Sequence, residues 1–112
     1  MKLPFYLSDP RASHYDEVPW TCLDLETTNI EKGDPLVPEN RIVLRAASGP
    51  PVGNKMWSIL VAHNAKFELG WMLREGVDIA NILPWDTMLA EYVIAGNRRL
   101  DLSLGATAKR YG

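Results

Sequence analysis

Two acidic residues, Asp24 and Glu26, stand two positions apart at the end of a mostly apolar run that begins at Trp20. In an extended strand, residues i and i+2 share a face, so the two carboxylates project together from Cα atoms roughly 7 Å apart. That separation lets them flank or bridge a pair of divalent cations ~4 Å apart, the arrangement that hydrolyses phosphodiesters. All-oxygen ligands of this kind suit Mg²⁺ or Mn²⁺. The triplet alone is a common pattern, because many strands enter solvent on charged residues. Thr27 and Thr28 follow it. Hydroxyls and amides at a strand end can hold a terminal nucleotide, and threonines there are equally ordinary turn residues.

A second acidic signature lies about forty residues further on, Leu60-Val61-Ala62-His63-Asn64-Ala65-Lys66-Phe67-Glu68. Asn64 reads as a helix N-cap, which places Glu68 in the first helical turn. The helix dipole favours an acid there whatever its function. No cysteine or second histidine adjoins His63, which argues against zinc. It reads as a partly buried structural histidine.

These signatures need elements to hold them. Trp20 to Leu25 has the length and content of a buried strand. A loop over Asn29 to Asn40, broken by Gly33, Pro35 and Pro38, leads to a second strand, Arg41 to Ala47. After a turn over Ser48 to Asn54, a third strand runs from Lys55 to His63. A helix is expected from Ala65 to about Glu75, with Phe67, Trp71 and Met72 on its apolar face and Gly76 at C′. Asp86 caps a second helix, Thr87 to Ala95, with Met88, Leu89, Tyr92 and Val93 at helical spacing and Gly96 closing it. A third helix starts near Ser103. Strands first, then helices alternating with short strands, indicate an α/β or α+β layered domain.

The 112 residues suffice for one domain with a modest core, and residues 1–19 read as a polar leader. The single cysteine, Cys22, rules out an intrachain disulfide and fits a reducing cytoplasm. No apolar stretch approaches the ~18 residues that span a bilayer. The net charge of −2 argues against a dedicated sequence-independent DNA-binding module, which neutralises phosphates with basic residues. It suits an enzyme whose acidic site is neutralised by metal.

In combination, the ordered segments resemble the DEDD superfamily of 3′–5′ exonucleases, most closely the proofreading domain of family A DNA polymerases, phage ones included. Asp24 and Glu26 match its first motif. Asn64, Phe67 and Glu68 match its second. Trp85 to Tyr92, and Leu102 to Gly112, look like the two helices that follow. The resemblance covers residues 20–112. It implies a ribonuclease H-like α/β fold with a mixed sheet and flanking helices, incomplete at the C-terminus. It further implies that Asp24, Glu26 and Glu68 are catalytic and hold two Mg²⁺ or Mn²⁺ ions, while Thr27 and Asn64 contact the terminal nucleotide. The substrate would be a single-stranded or frayed DNA 3′ end, shortened with release of nucleoside monophosphates. Trimming of RNA, or a non-catalytic nucleic-acid or partner-binding module on the same fold, are the alternatives. Asp86 receives no catalytic role from the match and reads as a cap.

The chain departs from the family pattern in three places. Glu68 stands where the family usually has Asp. Only about twenty residues separate Arg41 from His63, where the family fits another strand and a helix. No Tyr or His is followed four residues later by Asp, so the fourth carboxylate and its water-orienting neighbour are missing. The expectation is an incomplete second metal site in the front portion of a longer reading frame, one that could include a polymerase domain.

Overall fold

The computed structural model describes residues 18–52 and 57–112. The leader, except Val18 and Pro19, and residues 53–56 of the turn and third strand lie outside them. Four strands are present: β1 (Trp20–Thr27), β2 (Ile42–Ser48), β3 (Ser58–Ala62) and β4 (Ile82–Asp86). Three helices accompany them: α1 (Ala65–Arg74), α2 (Thr87–Ala95) and α3 (Leu104–Tyr111). The sheet order is β2-β1-β3-β4. β1 pairs antiparallel with β2 and parallel with β3, and β3 is parallel to β4. The domain is therefore α/β with a mixed sheet flanked by helices.

β4 contains Pro84, which cannot donate a ladder hydrogen bond. The sheet tolerates Pro84 because β4 is an edge strand, where a missing N–H need break no ladder bond. The β3-α1-β4 unit is the compact heart of the molecule. Leu60 and Ala62 of β3, Ala65 and Met72 of α1, and Ile82 of β4 form the buried cluster, with Leu23 and Leu69 packed against it. Leu23 thus faces α1, and strand alternation sends Cys22, Asp24 and Glu26 the other way.

The expected end of α1 is confirmed in detail. Gly76 adopts φ 79°, and the Gly76 and Val77 amides donate back to the Leu73 and Met72 carbonyls. That is a Schellman closure, for which glycine at C′ is the favoured residue. Its start is a correction. Asn64 occupies the cap position in the left-handed conformation (φ 71°), and its side chain makes no cap bond. Asp86, at the end of β4, accepts instead from the Asn64 and Ala65 amides at the front of the helix.

α2 is closed at its front by Asp86, as expected, with Met88 and Leu89 amides donating to the carboxylate. Its burial is inverted. Glu91 and Ala95 are buried, while Leu89, Tyr92, Val93 and Ile94 are exposed. The reason lies in α3. Arg110 (3.0 Å) and the Tyr111 hydroxyl both donate to the Glu91 carboxylate, and these bonds draw the acid inward. α3 itself begins on Ser103, whose hydroxyl accepts from the Ala106 amide.

Candidate functional site

β3 pairs with β1 only as far as Cys22↔Val61, so β1 runs on past the end of its neighbour. Asp24, Leu25 and Glu26 lie on this overhang, still paired to β2 on the other side. Asp24 and Glu26 are exposed, whereas Leu25 is buried. The gap left by β3 is filled from α1. The Glu68 carboxylate interacts with the backbone N–H of Leu25, the residue between the two acids. A helix first turn thus brings a third acid to the flank of the strand that carries the other two.

Glu68 is only 2% exposed, and its Oε2 has no hydrogen-bond partner. Burial is the main reason its carboxyl is pushed up to about 7. The backbone N–H groups of Glu68 and Leu25 pull it down, and the charges of Asp24 and Asp86 push it up again. Near neutral pH it is therefore partly protonated, and a cation nearby would hold it ionised.

Among the described residues, no group of three or more His, Cys, Asp or Glu side chains is gathered closely enough to form a metal cage. The donor chemistry still fits a hard divalent cation. The acids are all oxygen ligands: Asp24 and Glu26 are exposed on the face of β1 away from α1, and Glu68, beside Leu25, has a buried oxygen without a hydrogen-bond partner. Asp24, Glu26 and Glu68 are the residues that would hold it.

Thr27 ends β1 and is half-buried. Beside it, Ile30–Gly33 forms a tight turn in which Glu31, Lys32 and Gly33 all have positive φ. A Cβ on Gly33 would stand 2.5 Å from Thr27 Oγ1 and 3.4 Å from Phe67, so glycine is required where this turn meets the site. The Trp71 indole N–H fixes the Gly33 carbonyl at 3.0 Å. Asn40, 1% exposed, holds the rest of the loop. It accepts from the Thr28 hydroxyl and the Ile30 amide and donates to the Ile30 and Asp34 carbonyls. Thr28 is thereby a loop-building residue. Trp71 is core and Phe67 half-buried against the turn.

Asn64 is exposed, so its amide is open to a ligand. It borders a cavity of about 1360 Å³ between α1 and α2, whose walls include Phe67, Leu73, Leu89 and Val93. His63 is structural. Its Nε2–H donates to the Leu102 carbonyl and its Nδ1 meets the Thr87 hydroxyl at 2.9 Å, which anchors the segment leading into α3. In comparisons with known proteins, no protein family, no curated protein and no solved structure matches this chain. None of the described helices is long and apolar enough to cross a membrane.

The sequence reading missed one contribution. Asp86 does more than cap α2. Its carboxylate also accepts from the Asn64 and Ala65 amides at 3.0 and 2.9 Å. The signal lies in strand register, Ala62↔Asp86, and no local sequence window contains it.

Proposed function

We propose that this chain is a ribonuclease H-like, metal-dependent 3′–5′ exonuclease domain acting on single-stranded or frayed DNA ends. The observation that carries the reading is Glu68: a buried carboxylate with one unsatisfied oxygen, brought by a helix first turn to the Leu25 N–H on the overhanging end of β1, on the face opposite to the exposed Asp24 and Glu26 and close enough to feel the charge of Asp24. A buried, unpaired ionisable oxygen is costly unless something compensates it, and sites of this kind cluster where chemistry is done. The mixed sheet supports the fold reading, and the resemblance of the two acidic motifs to those of the DEDD exonucleases is the ground for the polarity.

A bound Mg²⁺ or Mn²⁺ would supply charge neutralisation and a water acidic enough to attack at neutral pH. The chain's own residues do the rest. Asp24, Glu26 and Glu68 are the residues that would hold the cation. The exposed Asn64 amide and the Thr27 hydroxyl orient the terminal nucleotide. The loop pinned by Asn40 and Trp71 keeps Thr27 in place. No residue among those present is assigned as general base, and losing such a group typically slows hydrolysis ~10²–10⁴-fold. Turnover is therefore expected to be slow, and faster with Mn²⁺ than with Mg²⁺.

The test is digestion of matched single-stranded DNA and RNA oligomers labelled at either end, with Mn²⁺, Mg²⁺ or EDTA. Slow release of mononucleotides from DNA 3′ ends, absent in EDTA and in Glu26→Gln, is expected. Preference for RNA would reassign the substrate. Nucleic-acid binding without any cleavage would identify a non-catalytic module, and cleavage that survives Glu26→Gln would refute the site.

A further inference from the structure

We infer that Asp86 is a positioning residue of the candidate site: one carboxylate at the end of β4 sets the left-handed turn at Asn64 and the first turn of α1, and through them the placement of Asn64 and Glu68. The inference rests on the proposed function for what the site does, and on geometry alone for what Asp86 holds.

A helix cap accounts for only half of its bonds. Oδ1 accepts from Met88 N (2.9 Å) and Leu89 N (3.3 Å), the ordinary N-cap pair of α2. The same carboxylate reaches across to an element more than twenty residues earlier, taking Asn64 N on Oδ1 (3.0 Å) and Ala65 N on Oδ2 (2.9 Å). Those two amides are among the orphan donors at the front of α1, where Asn64 makes no side-chain cap of its own. Asn64 has φ 71°, the left-handed region that asparagine enters more readily than other non-glycine residues. The two Asp86 bonds hold the turn in that conformation. Strand register puts it opposite Ala62, immediately before the turn.

Four N–H donors occupy most of the lone pairs of one carboxylate. Asp86 is thus spent on backbone and is a poor metal ligand, despite its closeness to Glu68. Its charge adds to the pressure on Glu68, and its bonds fix the turn four residues before it. The site's geometry is accordingly set from β4, which carries none of the proposed ligands.

Asp86→Ser separates the two roles. A serine hydroxyl can still cap α2 and is too short to reach Asn64 and Ala65. The control is Gly76→Ala, which strains the opposite end of α1 at a position with φ 79° and open space around it. Amide hydrogen exchange and Mn²⁺ affinity are measured on the full chain. In Asp86→Ser, exchange at Asn64 and Ala65 should rise at least tenfold, with Met88 and Leu89 little changed, and Mn²⁺ affinity should fall at least tenfold. Gly76→Ala should leave Mn²⁺ affinity unchanged. Unaltered exchange at Asn64 and Ala65 overturns the inference, as does an equal loss of Mn²⁺ affinity in both variants. If the unsubstituted chain binds no Mn²⁺, the proposed function fails, while the exchange result still decides whether Asp86 holds the turn.

Discussion

Replacing Glu68 by Gln keeps the side chain's length and removes its charge. The consequence for stability can be worked out with its sign. In the unfolded chain the carboxyl titrates near 4.5, and in the native protein burial and its neighbouring acids push it up to about 7. Below pH 4.5 both states hold the proton and Glu68 costs nothing. As pH rises, the unfolded chain loses the proton first, so native stability falls between these two values and is lowest above 7. The interval corresponds to roughly 3 kcal/mol. Glutamine does not titrate. In EDTA, Glu68→Gln and the unsubstituted protein should melt together near pH 4, and at pH 8 the variant should melt on the order of 10 °C higher. Mn²⁺ at millimolar concentration should then raise the melting temperature of the unsubstituted protein by mass action and leave the variant unmoved. Parallel melting curves at every pH would refute the argument, because they would mean that water or rearrangement already satisfies the carboxylate. A variant less stable at pH 8 would reverse its sign and make Glu68 a structural residue.

Two further outcomes follow from the neighbouring geometry. Gly33→Ala combines a φ of 79° with a Cβ 2.5 Å from Thr27 Oγ1, and should cost about 1–3 kcal/mol in urea unfolding, with a loss of activity from the displaced Thr27. At the other end of the chain, the Tyr111 hydroxyl and then Arg110 hold the Glu91 carboxyl below its ordinary range. That contribution is present above pH 4.5 and is lost as pH falls through the depressed native value, so acid should release α3 first. Amide exchange across residues 104–111 between pH 6 and 3 measures this release, and Tyr111→Phe should shift its onset toward neutral pH.

Much of the scaffold was legible because its signals are local. Gly76 and Ser103 end and start helices through bonds to residues within a few positions, and Asp86 caps α2 in the same way. The apolar run into Asp24 formed the strand its composition indicated. What failed depended on distant partners. Asn64 has a cap residue's identity, yet it lies in the left-handed conformation with no cap bond, and Asp86 accepts from its own amide and that of Ala65. Tyr92 and Val93 mark an apolar stripe on α2, yet the helix turns Glu91 inward because Arg110 and Tyr111 arrive from α3. The flank of Leu25 was available to Glu68 because β3 stops pairing at Cys22, a fact of register. Asn40 and Gly33 stand inside what reads as a loop, since the bonds of Asn40 to Thr28, Ile30 and Asp34 and the approach of Gly33 to Trp71 and Thr27 appear only in the folded chain.

The sheet order also sets an order of assembly. β3, α1, β4 and α2 are consecutive in the chain and joined by the Asp86 bonds, so little loop entropy opposes their coming together. β1 must close a much longer loop to pair with β3, Trp20 against Ile59, and such nonlocal pairings form slowly. Glu68 is therefore expected to order with the early, local unit, and Asp24 and Glu26 with the strand that closes the sheet, an order that φ-values in α1 and β1 would check. The repulsion between Asp24 and Glu68 would then be met at that last step, as a strain on completing the sheet that speeds unfolding. A cation captured at the strand end would act as a clasp on the finished sheet.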